Sequence, residues 1–174
     1  FDVCAQNCID ISENGYGISV LNDCKYGCDI HNGEIGLTML KSAVYPNPDA
    51  DKEHHSFTWS IAPHEGGWRE GNTVAKAYVL NNPYQTAVKE NEGGNLPASY
   101  SFVQTDKENV VIEAVKKAED SDAVIVRLYE CYNRRGQTTL TFPRPVKRAV
   151  ICNMLEEKME EVLCCEVNKV PVQL

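Results

Sequence analysis

Apolar and polar positions alternate with a period of two along most of this chain, and only one stretch carries a helical stripe. Tyr16 to Leu21 (Y-G-I-S-V-L) is rich in β-formers and predicts a strand; Lys25 to Ile30 predicts another after a polar break. Between that second segment and Ile35 to Leu40 stands Asn32-Gly33. Asn-Gly tolerates positive φ at both turn positions, so a tight hairpin is expected there. Pro46-Asn47-Pro48-Asp49-Ala50-Asp51 reads as a loop, since each proline removes a ladder donor. Strand character resumes at Ser56, where Phe57, Trp59 and Ile61 alternate with Thr58 and Ser60. That pattern predicts a sheet with one face buried, ended by Pro63.

Val74, Ala77, Tyr78 and Leu80 supply a partial i, i+3, i+4 stripe, so a surface helix is predicted from about Glu70 to Leu80, stopped by Asn81-Asn82-Pro83. Glu90 to Pro97 is expected to be a flexible loop. Further strands are predicted at Tyr100–Gln104, Val110–Lys116, Ala123–Cys131, Thr138–Phe142, Ala149–Met154 and Glu166–Val172, with Glu156 to Glu161 a solvated polar excursion. Many short strands with a single helix predict a mainly β fold, an antiparallel β-sandwich, and not βαβ units.

With 174 residues and 43% hydrophobic content, the chain can bury a sizeable core as one domain or two unequal lobes. No stretch approaches the roughly 20 consecutive apolar residues of a membrane span, and Phe1 to Asp10 lack the basic and apolar regions of a signal peptide. A formal charge of -8 with scattered Lys and Arg argues against nucleic acid as a partner. The start at Phe1 without Met and the strand-like end at Val170 to Leu174 suggest a piece of a longer protein. The eight cysteines, Cys4, Cys8, Cys24, Cys28, Cys131, Cys152, Cys164 and Cys165, are even in number. No Asn-x-Ser/Thr sequon accompanies them, so the expectation is eight reduced thiols in a cytoplasmic protein. Their two C-x3-C spacings fit small buried side chains better than a zinc site.

Few residues suggest chemistry. A retaining glycosidase needs two carboxylates about 5–5.5 Å apart, which spacing in sequence cannot establish, and Asp49, Asp51 and Glu130 read more simply as solvated groups. Of His54, His55 and His64, adjacent residues on a strand face opposite ways, so three cannot converge on one metal. His55 is expected to pack at a strand start and His64 to cap a loop after Pro63. Nucleophile-elbow, P-loop, dinucleotide and H-E-x-x-H motifs are lacking. The polar run Leu21-Asn22-Asp23-Cys24-Lys25-Tyr26-Gly27 between two apolar strands supports two readings. Planar amides, carboxylates and an aromatic ring are what a hydroxyl-rich sugar is held by. Equally, Asn22-Asp23 can cap a turn with Lys25 paired to Asp23.

The same run, from Gly15 through Gly27, resembles the G-x-G-(hydrophobic)-x-L-L-N-D-C-K-Y-G block of family 38 α-mannosidases of the cytosolic and bacterial type. Asp10-Ile11-Ser12-Glu13 is similar to their D-L-S-E, Pro46 to Asp51 to P-x-P-D-A-D, and His55 to Trp59 with Pro63-His64 to H-E-F-T-Y and P-H. Ala77 to Pro83, Val126 to Glu130 and Asn153 to Glu157 resemble A-Y-x-L-N-x-P, L-R-L-Y-E and N-L-L-E-E, so the likeness runs in order over the whole chain. It departs at Lys41, where the family has Arg and a planar fork is lost.

The resemblance implies a galactose-mutarotase-like β-sandwich over residues 1–174, standing behind a catalytic barrel and a helical domain that are absent here. No catalytic or metal-binding residue and no cofactor is expected in this chain; zinc or another divalent metal, the nucleophile and the general acid belong to the absent catalytic domain. Asn22, Asp23, Lys25 and Tyr26 are the candidate substrate contacts. The implied partners are an α-mannoside oligosaccharide, the parent catalytic domain and a second copy in a homo-oligomer. Two alternatives stand beside this: a stand-alone carbohydrate-binding module, and a purely structural platform between domains or subunits.

Overall fold

The structure is a computed structural model that describes residues 2–88, 93–95, 97–162 and 167–174. It divides into two compact units, Phe1–Val88 and Lys89–Leu174. Every strand pairing is antiparallel. The mainly β class expected from the period-two pattern is the architecture observed, with one helix among the described residues.

The first unit holds β1 (Val3–Cys4), β2 (Cys8–Glu13), β3 (Tyr16–Asn22), β4 (Gly27–His31), β5 (Glu34–Leu37), β6 (Trp59–Glu65) and α1 (Thr73–Asn81). One sheet runs β2-β3-β6 and another β1-β4-β5. The β4–β5 hairpin turns on Asn32-Gly33 with φ of 50° and 81°, the doubly positive pair that this dipeptide adopts at little cost. α1 covers the expected stripe but starts at Thr73 rather than Glu70 and takes in Asn81, and its C-terminus closes with the Asn82 N–H donating to the Tyr78 carbonyl at 2.9 Å.

β6 corrects two expectations. Pro63 does not end the strand; it pairs opposite Ile18, and the ladder continues to Glu65. Among the described residues β6 is an edge strand bonded only to β3, and an edge accommodates the missing proline N–H. The phase of burial is also reversed. His64 is buried and Ser60 and Ala62 are half-buried, while Trp59 and Ile61 remain 48% and 56% exposed. Gly17, Ser19 and Leu21 of β3 lie opposite His64, Ala62 and Ser60, and this is the face on which α1 packs. Trp59 and Ile61 of β6 therefore fall on the other face.

The second unit holds β7 (Gln104–Thr105), β8 (Val110–Lys117), β9 (Val124–Glu130), β10 (Gln137–Thr141), β11 (Ala149–Cys152), β12 (Lys158–Val162) and β13 (Lys169–Gln173). They form the sheet β13-β10-β7 and the ribbons β8-β9 and β11-β12, with Val110, Leu140, Val170 and Tyr132 buried. Of the strand expected at Tyr100–Gln104 only Gln104 is paired, in the two-residue β7 that ends at Thr105. The polar excursion expected at Glu156–Glu161 is instead largely β12, a two-stranded ribbon whose exposed carboxylates need no buried face to satisfy the ladder. Half of the expected loop at Glu90 to Pro97, and Glu166 at the start of the last expected strand, fall outside the described residues; 93–95 and 97 carry no regular structure.

Candidate functional site

β3 carries Leu21 and Asn22 to the edge of the first unit, and the chain then crosses through Asp23–Tyr26 to β4. Asn22 is 2% exposed. Its backbone is satisfied, donating to the Asn7 carbonyl at 2.9 Å and accepting from Asn81 Nδ2 at 3.0 Å. Its side-chain amide, like Asp23 Oδ1, has no hydrogen-bond partner among the described residues. Such buried groups cost on the order of 1–3 kcal/mol each when left unmet.

Asp23 does not pair with Lys25. Its Oδ2 accepts the Thr58 amide at 2.9 Å, and its own amide donates to the Thr58 carbonyl at 3.2 Å. That bond from Thr58 holds the Asp23 carboxyl below its ordinary range. Cys24 Sγ donates to the Ser56 carbonyl at 3.9 Å, and the Lys25 ammonium stands 5.5 Å from the centre of the Phe57 ring. Asp23-Cys24-Lys25 thus grips Ser56-Phe57-Thr58 residue by residue, a cross-link 35 positions long that was not legible from either segment alone. Of the four candidate contacts, Asn22 is buried, Asp23 and Lys25 are half-buried and engaged within the chain, and Tyr26 has the most open ring at 39% exposed.

A second cluster went unpredicted. Asp10 Oδ2 receives Ser19 Oγ at 2.6 Å and meets His64 Nε2 at 2.7 Å; Ser12 donates to its other oxygen, and Ser19 Oγ lies 2.5 Å from Thr73 Oγ1 of α1. Burial pushes the Asp10 pKa up, but the bonds from Ser12, Ser19 and His64 outweigh it and the net shift is downward. His64 therefore sits inside a strand and a buried network, and does not cap a loop. Gly17 and Gly71 close on the imidazole from two sides, so that a Cβ at either would overlap it. With the histidine side chain 3% exposed and Ser19 fully buried, the imidazole and the Ser19 hydroxyl are closed to substrate, while Ser12 stands at the exposed margin. Its signal in the sequence is a polar residue at the inward position of an apolar strand, Asp10 in C-I-D-I-S and Ser19 in G-I-S-V.

The remaining candidates are accounted for by local bonds. Asp49 holds Lys52 Nζ at 2.9 Å, while Asp51 Oδ2 receives the amides of Lys41 and Ser42 at 3.3 and 2.8 Å. His55 Nε2 contacts the Asp51 carbonyl at 3.1 Å. Glu130 accepts from Asn109 Nδ2 at 2.7 Å and from the amides of Tyr132 and Arg134 at 2.8 and 2.9 Å, organising the turn after β9. Among the described residues no three His, Cys, Asp or Glu side chains converge as a metal site would need, so these residues do not fit a zinc ion. Cys4, Cys8, Cys24, Cys28, Cys131 and Cys152 are free; Cys164 and Cys165 lie outside the described residues. No helix of the described residues is long and apolar enough to cross a membrane.

Two family models match. Residues 1–49 match the glycosyl hydrolases family 38 C-terminal domain, and residues 109–174 the glycosyl hydrolases family 38 C-terminal beta sandwich domain. Alpha-mannosidase G of Dictyostelium discoideum is 36% identical over 163 residues, alpha-mannosidase 2C1 of Homo sapiens 34% over 160, and alpha-mannosidase of Saccharomyces cerevisiae 29% over 195. These alignments take in 90%, 90% and 100% of this chain but only 15%, 15% and 18% of those proteins. Two solved structures share the fold over 99% of the chain at 15% identity. One is a family 38 glycosyl hydrolase from Enterococcus faecalis (TM-score 0.72, 22% of its length), the other an alpha-mannosidase from Enterococcus faecalis V583 (0.73, 21%). The motif likeness, both family models and the shared fold agree: this chain belongs to the C-terminal domains of glycosyl hydrolase family 38.

Proposed function

We propose that this chain is the C-terminal module of an enzyme that hydrolyses α-mannosidic bonds in oligosaccharides, and that it buttresses the catalytic domain without performing the chemistry. The observation that carries this reading is the 34–36% identity, over 90% of the chain, to two proteins named as alpha-mannosidases. Residues 1–174 act as one C-terminal region in this account. The metal, nucleophile and general acid are held elsewhere in the polypeptide, consistent with carboxylates here that are committed to turns and staples. The loop Asn22–Tyr26 supports the sugar site from behind: Asp23 and Lys25 position the segment 56–58, and Tyr26 offers a ring to ligand. A cytoplasmic setting suits the thiols of Cys24 and Cys28, which are unpaired.

The test is the full-length enzyme on aryl α- and β-mannosides. The α-anomer should be cleaved and the β-anomer should not, while a polypeptide lacking the segment corresponding to 1–174 should be inactive. Turnover of neither anomer by the intact enzyme would refute the proposal.

A further inference from the structure

Between β5 and β6 the chain runs 21 residues, 38–58, without regular structure. A loop of that length in a compact unit is uncommon and is either functional or unstructured. This one is fastened twice. Asp51 Oδ2 takes the amides of Lys41 and Ser42 across its neck, and Asp23-Cys24-Lys25 grips its outgoing limb at Ser56-Phe57-Thr58. Inside the neck, Ala50 donates to the Asn47 carbonyl at 3.2 Å and the Asp49 amide to Asn47 Oδ1 at 3.0 Å. Ser42 and Asp51, the two residues that close the neck, both hold positive φ, 47° and 60°. A non-glycine residue stays in that region only when its surroundings over-determine it.

This ordering presents apolar side chains to solvent. Val44 is 78% exposed and Tyr45 86%, and Pro46 follows them. A loop held this firmly, with its aliphatic and aromatic residues outward, has the form of a pre-organised interface anchor. Tyrosine is enriched at such anchors because it brings a large area at low entropic cost.

We infer that Val44-Tyr45-Pro46 is the knob by which this module docks onto the remaining polypeptide of its own enzyme. This inference rests on the proposed function, since it needs a parent chain. Its occupant follows from size: the chain spans about 15% of the curated relatives it matches, so most of the protein lies outside it. The Asp23-Cys24-Lys25 block is then a positioning device for the knob, holding it from 20 residues away.

Hydroxyl-radical footprinting of the intact enzyme, with peptide-resolved mass spectrometry, tests the inference. Tyr45 should be oxidised roughly tenfold more slowly in the native enzyme than in urea, as a desolvated anchor would be. The protection should be the same with and without added mannose. Oxidation of Tyr45 at the unfolded rate overturns the proposal, and so does protection that develops only with mannose, which would assign the knob to the sugar. Tyr45→Ala in the intact enzyme should lower its melting temperature and leave KM for an aryl α-mannoside within about twofold, because the lost contact is not with substrate. A large rise in KM with an unchanged melting temperature would count against docking. Turnover by the wild-type preparation is read separately, so failure of the docking idea and failure of the mannosidase reading remain distinct.

Discussion

Asp10 and Asp23 are both carboxylates held below their ordinary pKa by hydrogen bonds, and they do different work. The Asp10 partners are side chains, Ser12, Ser19 and His64, joined through Ser19 to Thr73 of α1 and shut in by Gly17 and Gly71. Those of Asp23 are led by the backbone amide of Thr58, with the Cys24 side chain contributing after it, at the end of a long loop and near solvent. The first arrangement ties sheet to helix and is a condition of the fold. The second specifies where a surface segment lies. Hydrogen bonding to a carboxylate, seen alone, does not separate a structural core from a functional margin; what the partners belong to, and what closes over them, does.

The largest effect is expected where the closed cluster is overfilled. A Cβ at Gly17 would overlap His64 Cε1 and Ser12 Oγ, and the imidazole, 3% exposed and backed by Gly71, has no room to move. Gly17→Ala should destabilise the fold by about 3 kcal/mol, at the upper end for overpacking, as read by denaturant unfolding. In a His64→Ala background the same change should cost much less, since the overlapping ring is gone. Equal costs in both backgrounds would show that the glycine is required for its backbone and not for the imidazole.

Next in size is the acid dependence. A carboxyl whose folded pKa lies below its unfolded value stabilises the fold above the unfolded value, near 4, and that contribution is lost as pH falls through the folded pKa. Asp10 should therefore make unfolding easier on acidification below about pH 4, and Asp10→Asn should flatten that slope. Asp23→Asn should change it less, because its bonds fix one surface loop and solvent partly screens a half-buried carboxylate. Unfolding midpoints measured between about pH 5 and pH 2 check both, and a larger change for Asp23→Asn would invert the comparison. Limited proteolysis gives the converse reading: Asp23→Ala should speed cleavage within 38–58, while Asp10→Ala should act on the whole unit.

The two regions also differ in how much of them sequence could convey. Local signals sufficed for the Asn32-Gly33 hairpin, for α1 and for most strands, because turn chemistry and periodicity act over a few residues. They failed at β6, where the apolar residues Trp59 and Ile61 were assigned to the buried face. Pattern shows that a strand has two faces, but which face is covered depends on α1, whose approach favours Ser60 and Ala62. The Asp10 network was half visible, as polar residues at inward positions, while its closure by Gly17 and Gly71 depends on two segments far apart. The family block at Asn22–Gly27 was recognised as a unit. Its grip on Ser56-Phe57-Thr58 was not, because a pairing 35 positions apart leaves no mark in either segment.

The smallest predicted effect concerns that grip. Lys25 stands 5.5 Å from the Phe57 ring centre, both residues half-buried, a setting in which a cation–π contact contributes about 0.5–1 kcal/mol. Lys25→Met keeps most of the aliphatic stem and removes the charge, so it isolates the electrostatic part better than alanine would. A double-mutant cycle with Phe57→Leu should return a coupling of roughly 0.5 kcal/mol that shrinks little in high salt, since a ring quadrupole at contact range is screened less than a distant ion pair. If the coupling is zero, Lys25 merely lies beside the ring and the clamp reduces to Asp23 and Cys24. In that case the Asp23→Ala and Lys25→Met variants should part company under protease, with only the former loosening residues 38–58.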